Sequence, residues 1–253
     1  MIDVAFTRTE MRPADIAVVI DVLRATSTIT QALASGYRSV VCVSSVQAAA
    51  RLRAPGRVIA GEQRCITPAG FDQGNSPGEA MSPRGDELVL ATTNGAPTIV
   101  AVSSRAEQVM LASLLNLKAV LEVLSPSAGL EVQIICAGTD GAPALEDTYL
   151  AGRICAALPG DRTDAALIAE AVARGFGTPF EALAASADAR VLRAAGLAND
   201  IAHCALESCL HIVPRVLSAS EEIATVGLPS TQNVAVRRAP REAVAGPRLA
   251  QTR

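Results

Sequence analysis

Tryptophan is absent from this 253-residue chain, and four Phe and two Tyr are its only aromatic residues. A core without large rings must be filled by Ala, Val, Leu and Ile, which fits the 50% apolar composition and favours layers of small, branched side chains. Lysine occurs once, at Lys118, so arginine carries nearly all the positive charge; with a net charge of −3 there is no basic footprint of a nucleic-acid surface, and any anion site must be local. No apolar run is long enough to cross a bilayer. The opening MIDVAFTRTEMRPAD also lacks the apolar stretch of a secretory signal, so a cytoplasmic location without membrane contact is expected.

Local signatures are missing too. There is no GxGxxG, GxxxxGK[ST] or GxSxG, which removes the usual support for dinucleotide, P-loop and hydrolase-elbow readings. Neither Cys65 nor Cys136 has an arginine six residues on, and Val22-Leu23 after Asp21 excludes the two-aspartate nucleophile motif. His203 and His211 form no HxxxH or HExxH pair, and read as core or surface residues. Cys42, Cys65, Cys136, Cys155, Cys204 and Cys209 are scattered without CxxC spacing, so buried free thiols are expected rather than disulfides or zinc ligands.

What the chain does have is alternation. Apolar strand runs at 16–21, 39–43, 57–62, 87–91, 108–113 and 131–138 are separated by helical patterns, the first at 25–36 with Gly36 as its stop. Helices are also expected at 46–53, from 96 with Pro97 in its first turn, at 116–124, and at 146–158 with acids at its start. From 161 the pattern is mostly helical, with a last short strand at 211–217. This predicts an α/β fold: a mixed, largely parallel sheet of about six strands flanked by helices, with a helical C-terminal portion. Residues 1–235 read as one domain with room for two subdomains, and the arginine- and proline-bearing 236–253 as a disordered basic tail.

On such sheets ligands bind beyond the carboxyl ends of the strands. Successive strand runs stop at Asp21, Glu62, Thr92 to Asn94, Ser113 with Asn116 nearby, and Thr139-Asp140. Each residue alone reads as a helix cap, but parallel strands would deliver the set to one edge. The loop GFDQGNSPGE at 70–79 leaves that edge and carries Asp72 and Asn75 to it, with Glu79 as an ordinary solvent-facing acid. Asp21, Glu62, Asp72, Glu146 and Asp147 are hard oxygen donors suited to Mg²⁺. Thr92, Thr93 and Thr139, with backbone N–H groups at nearby glycines, suit a phosphate, and Arg24 and Arg64 add positive charge. Metal-assisted phosphate chemistry fits this inventory.

In order along the chain, IDVLRATST (20–28), GE (61–62), PAGFDQGNSP (68–77), TTNG (92–95), LLN (114–116), CAGTDG (136–141) and LEDTYLAG (145–152) resemble the signatures of the 2-phosphosulfolactate phosphatase family, over about residues 16 to 217. The resemblance implies the family's own α/β fold and a Mg²⁺-dependent hydrolysis of 2-phospho-3-sulfolactate to 3-sulfolactate and phosphate, as in coenzyme M biosynthesis. Related 2-hydroxy acid phosphates are the alternative substrates, and a non-catalytic binder of phosphorylated or sulfonated metabolites is the alternative to an enzyme.

It also implies a set of site residues, to which we assign roles as expectations: Asp21, Glu62, Asp72 and Glu146 for the metal; Arg24, Thr26, Asn75, Thr93, Asn94, Asn116 and Thr139 for the substrate; Asp21, Asp72 and Asp147 for catalysis. Within that set Arg24 is expected to pair with phosphate or sulfonate, and Asp147 to act as general acid or base, with metal ligation and helix capping as alternatives. The expected partner is a small anionic phosphorylated substrate, with self-association left open. Ala96, the Gln63-Arg64-Cys65 run and Glu207 depart from the family pattern and bear on the substrate pocket.

Overall fold

The computed structural model describes residues 1–127 and 129–229; the basic tail expected at 236–253 lies outside them. Nine strands form one hydrogen-bonded sheet: β1 (Ile2–Ala5), β2 (Ala14–Ile20), β3 (Ser39–Val43), β4 (Arg57–Gly61), β5 (Glu87–Ala91), β6 (Ala106–Ala112), β7 (Val132–Cys136), β8 (Arg215–Ala219) and β9 (Ile223–Gly227), in the order β1-β7-β2-β6-β8-β9-β3-β5-β4. The six expected strands are β2 to β7. The additional ones are a short edge strand, β1, and the β8–β9 hairpin; the expected strand at 211–217 starts four residues later, at Arg215.

The sheet is two parallel blocks, β1-β7-β2-β6 and β3-β5-β4, joined through antiparallel pairings by the hairpin. The junction is slender, since β6 and β8 pair only at Met110 and Arg215. Three antiparallel steps reverse the strand sense between blocks, so the carboxyl ends of β4 and β5 do not share a common sheet edge with those of β2 and β7.

The described chain also has ten α-helices: α1 (Ala25–Ser35), α2 (Val46–Arg51), α3 (Pro77–Ala80), α4 (Gly95–Val102), α5 (Leu117–Leu124), α6 (Leu145–Ala157), α7 (Asp164–Arg174), α8 (Pro179–Ala185), α9 (Ala187–Ala194) and α10 (Ala198–Cys204), with short 3-10 turns at Arg8–Glu10 and Leu114–Asn116. Gly36 ends α1 with φ 116°, a left-handed cap that a side chain would strain.

Period-two alternation sorts the strand residues into layers. Ile16, Val18 and Ile20 of β2 face a core shared with α5 to α10. Ala17 and Val19 face a central core that also holds Val40 and Cys42 of β3, Leu88 and Leu90 of β5, Ile29 and Leu33 of α1, and Ile99 of α4. Val41, Val43 and Val89 pack on the other side with Ala49 of α2. One face of each block thus meets the other across α1 and α4. Helix α4 leaves the end of β5 and packs against both β2 and β3, and this carries the β5 end to the β2 end.

Candidate active site

The β2–α1 junction is built by its own side chains. The Thr26 hydroxyl accepts from Asp21 N–H at 3.1 Å and donates to the Asp21 carbonyl at 2.8 Å, while Asp21 Oδ1 accepts from Ala25 N–H at 3.0 Å. The start of α4 closes against the same carboxylate: a Cβ at Gly95 would overlap Asp21 Oδ2 and lie 2.5 Å from Ala25 Cβ. Only glycine allows this approach. Burial pushes the Asp21 carboxyl up to about 7, against the Ala25 N–H and with the added repulsion of Asp188 and Glu62.

Asp21 opens into a pocket of about 290 Å³. Block one contributes Arg24 beyond β2, and Thr139 and Asp140 beyond β7; block two contributes Glu62 beyond β4, and Thr93 and Asn94 beyond β5. Asn75 enters from the glycine-rich loop, and Leu23, Val191 and Leu192 form an apolar wall. Asp140 N–H donates to Asn94 Oδ1 at 3.3 Å, tying the two blocks at the rim. Glu62 organises its surroundings with both oxygens, accepting from Thr93 N–H at 2.8 Å and Cys65 N–H at 2.9 Å.

Two acids that no motif pointed to complete the site. Asp188, on α9, lines the pocket and accepts from the Thr139 hydroxyl at 2.5 Å. Asp200, on α10, accepts from the buried Arg24 guanidinium at 2.6 Å and from Ser76 Oγ at 2.6 Å. Tertiary packing brings both to the site. Arg24 therefore reaches the pocket already paired and held in one position.

The sequence-predicted residues divide accordingly. Asp21, Arg24, Glu62, Asn75, Thr93, Asn94 and Thr139 meet in one pocket. Glu146 and Asp147 do not line it. Both are buried in the first turn of α6, and burial, with Asp147 and Asp188 beside Glu146 and Asp21 beside Asp147, pushes both carboxyls well above the ordinary range. Asp147 accepts from Val22 N–H at 2.8 Å and Gly138 N–H at 3.2 Å, so it braces the two strand ends rather than facing a substrate.

Three more are placed elsewhere. Thr26 is wholly buried under Asp21. Asn116 is wholly buried too; its Oδ1 accepts from Ser113 N–H at 2.8 Å and its Nδ2 donates to the carbonyls of Leu111 and Ile212 at 3.2 and 3.0 Å, a capping and cross-linking role. Asp72 is outside the pocket as well. It accepts from Ile59 N–H at 2.7 Å and pairs with Arg53 at 3.0 Å, and these partners hold its carboxyl below the ordinary value. Its work is to fasten the loop to β4. Glu79 is exposed as expected, yet it ties the loop to α3 by accepting from Gly74 N–H at 2.8 Å.

Among the described residues, no three carboxylate, histidine or cysteine groups converge into a ready cage for a metal. Mg²⁺ does not require one, because it keeps several waters and takes one or two carboxylates with substrate phosphate oxygens. The donor chemistry fits it. Asp21, Glu62 and Asp188 are hard donors in one pocket, burial and then the charges of Asp188 and Glu62 push the Asp21 carboxyl up, and among the described residues Asn75 Oδ1 is buried with no hydrogen-bond partner.

Comparison with known proteins places the chain among sequence relatives that share one name. The family profile described as 2-phosphosulpholactate phosphatase matches residues 4–218. A protein of Thermotoga petrophila named probable 2-phosphosulfolactate phosphatase is 38% identical over 224 residues, covering 86% of this chain and 96% of its own. One of Thermus thermophilus with the same name is 38% identical over 197 residues, covering 76% and 83%. A Methanothermobacter thermautotrophicus protein named 2-phosphosulfolactate phosphatase is 33% identical over 199 residues, covering 79% and 85%.

Proposed function

The chain belongs to the 2-phosphosulpholactate phosphatase family, and from that premise we propose that it is a phosphoric monoester hydrolase that converts 2-phospho-3-sulfolactate and water to 3-sulfolactate and phosphate, with Mg²⁺, as in coenzyme M biosynthesis. The observation that carries this reading is a single pocket where carboxylates from two strand ends and α9, Asp21, Glu62 and Asp188, face a buried arginine and a set of neutral hydrogen-bonding groups. Such a mixture of acids and donors suits a phosphoryl group held with a cation, and suits hydride or acyl transfer poorly.

Asp21, Glu62 and Asp188 would hold Mg²⁺, which when bound supplies charge neutralisation at the phosphate and a lowered pKa for a coordinated water. The chain's own groups do the positioning. Asp200 fixes the Arg24 guanidinium so that it meets a substrate oxyanion without first being ordered. Thr93, Asn94 and Asn75 surround the same space and orient substrate oxygens. Leu23, Val191 and Leu192 keep water from one side of it, which strengthens each polar contact opposite. Asp147, by gripping the backbone at Val22 and Gly138, keeps the β2 and β7 ends in register with one another.

The test is phosphate release from 2-phosphosulfolactate, 2-phospholactate and phosphoglycolate, each with Mg²⁺ and with EDTA. Turnover that is lost in EDTA and fastest on the sulfonate is expected. Release unaffected by EDTA would remove the metal from the account, and release from none of the three would remove the reaction.

A further inference from the structure

The pocket's two arginines differ in one respect that the proposed reaction makes consequential. Arg24 is buried and neutralised by Asp200 at 2.6 Å. Arg64 lines the same pocket from its exposed rim, and among the described residues its guanidinium has no hydrogen-bond or ion-pair partner. Its placement is specific. Gln63 and Ile66 pair as an antiparallel bridge, with reciprocal backbone hydrogen bonds of 2.9 and 3.0 Å. Arg64 and Cys65 form the two-residue tip at φ 51° and 65°, a left-handed conformation that disfavours residues with a side chain. Glu62 Oε2 holds the tip by accepting Cys65 N–H at 2.9 Å, while its Oε1 accepts Thr93 N–H at 2.8 Å. A long cation is thus carried on a braced turn at the pocket mouth and left unpaired.

We propose that Arg64 is the specificity-determining residue that binds the sulfonate of the substrate, a role that rests on the phosphatase reading and extends it. The substrate carries three anionic groups on adjacent carbons, and the pocket wall is acidic at Asp21, Glu62, Asp140 and Asp188. A carboxylate and a phosphate can share a divalent cation. A sulfonate is a poor metal ligand and stays ionised, so it needs a protein cation. A guanidinium meets two of its oxygens with a planar fork of N–H donors. Arg24, buried and held by Asp200, meets the phosphoryl group, which leaves Arg64 at the rim for the sulfonate.

The experiment compares wild type, Arg64→Ala and Arg64→Lys. The ratio of kcat/KM for 2-phosphosulfolactate to that for 2-phospholactate, which lacks only the sulfonate, should fall by about tenfold in Arg64→Ala and by less in Arg64→Lys. Calorimetric binding of 3-sulfolactate, which needs no turnover, should weaken by about the same factor. An unchanged ratio, or equal 3-sulfolactate affinity in wild type and Arg64→Ala, overturns the assignment. If wild type releases no phosphate from either ester, the phosphatase reading fails, and the calorimetric comparison still decides Arg64; if such a wild type also binds no 3-sulfolactate, both are overturned.

Discussion

A methyl group at Gly95 would collide with Asp21 Oδ2 and Ala25 Cβ, so Gly95→Ala must push α4 away from β2 or turn the carboxylate. Overpacking of this kind costs about 1–3 kcal/mol, and we expect a lowered melting temperature together with a severe loss of phosphate release. Asp72→Asn should behave oppositely, with most activity kept and stability reduced by about 1 kcal/mol near neutral pH. The Ile59 N–H and then the Arg53 guanidinium hold the Asp72 carboxyl below its ordinary 3.8. A depressed folded value means the stabilisation is fully present above 3.8 and fades as pH falls through the folded value. Wild type and Asp72→Asn should therefore differ in urea midpoint at pH 7 and converge towards pH 2. Seven of the residues that line the pocket were legible in the sequence, because each lies just beyond a strand run or in the glycine-rich loop. Asp188 and Asp200 were not, since nothing in the local pattern of α9 or α10 distinguishes an acid turned inward from one in water.

At the level of elements, the β6–α5 corner depends on Asn116. Its replacement by Ala would leave Ser113 N–H and the carbonyls of Leu111 and Ile212 without their partner, and a cost of about 2–4 kcal/mol is expected, measurable by denaturant titration. Gly152 sets how closely α6 packs on α7, because a Cβ there would overlap Ala169 O; Gly152→Ala should destabilise through helix separation. The strands β2 to β7 could be read from sequence because each is a short, buried apolar run. The four-residue β1 and the hairpin strand β9 could not. β1 has too few residues to show alternation, and β9 is a strand because β3 and β8 pair with it, which is a long-range fact. The reversal of strand sense between blocks has the same origin, and it replaces the expected single edge with a meeting arranged by α4.

Over the whole molecule, Cys42, Cys136, Cys155 and Cys204 are buried, Cys65 is half-buried and Cys209 is exposed. Burial pushes the Cys42, Cys155 and Cys204 thiols up to about 12, and thiolate is the reactive form. Alkylation of the native protein should therefore reach Cys209 first and Cys65 more slowly, and all six only after unfolding, as mass spectrometry would show. Because Cys65 lines the pocket, 3-sulfolactate should slow its modification. The shared central core, the rim contacts and the acids drawn from both blocks and α9 together make the pocket a property of the assembled fold. Asp188→Asn tests that claim most directly, because this acid was supplied only by tertiary structure. Removing a charge from a crowded set of pocket acids should leave the melting temperature unchanged or raised, while phosphate release from 2-phosphosulfolactate falls by about 100-fold or more. Release within about twofold of wild type from a folded Asp188→Asn protein would contradict the assignment of this pocket as the hydrolytic site.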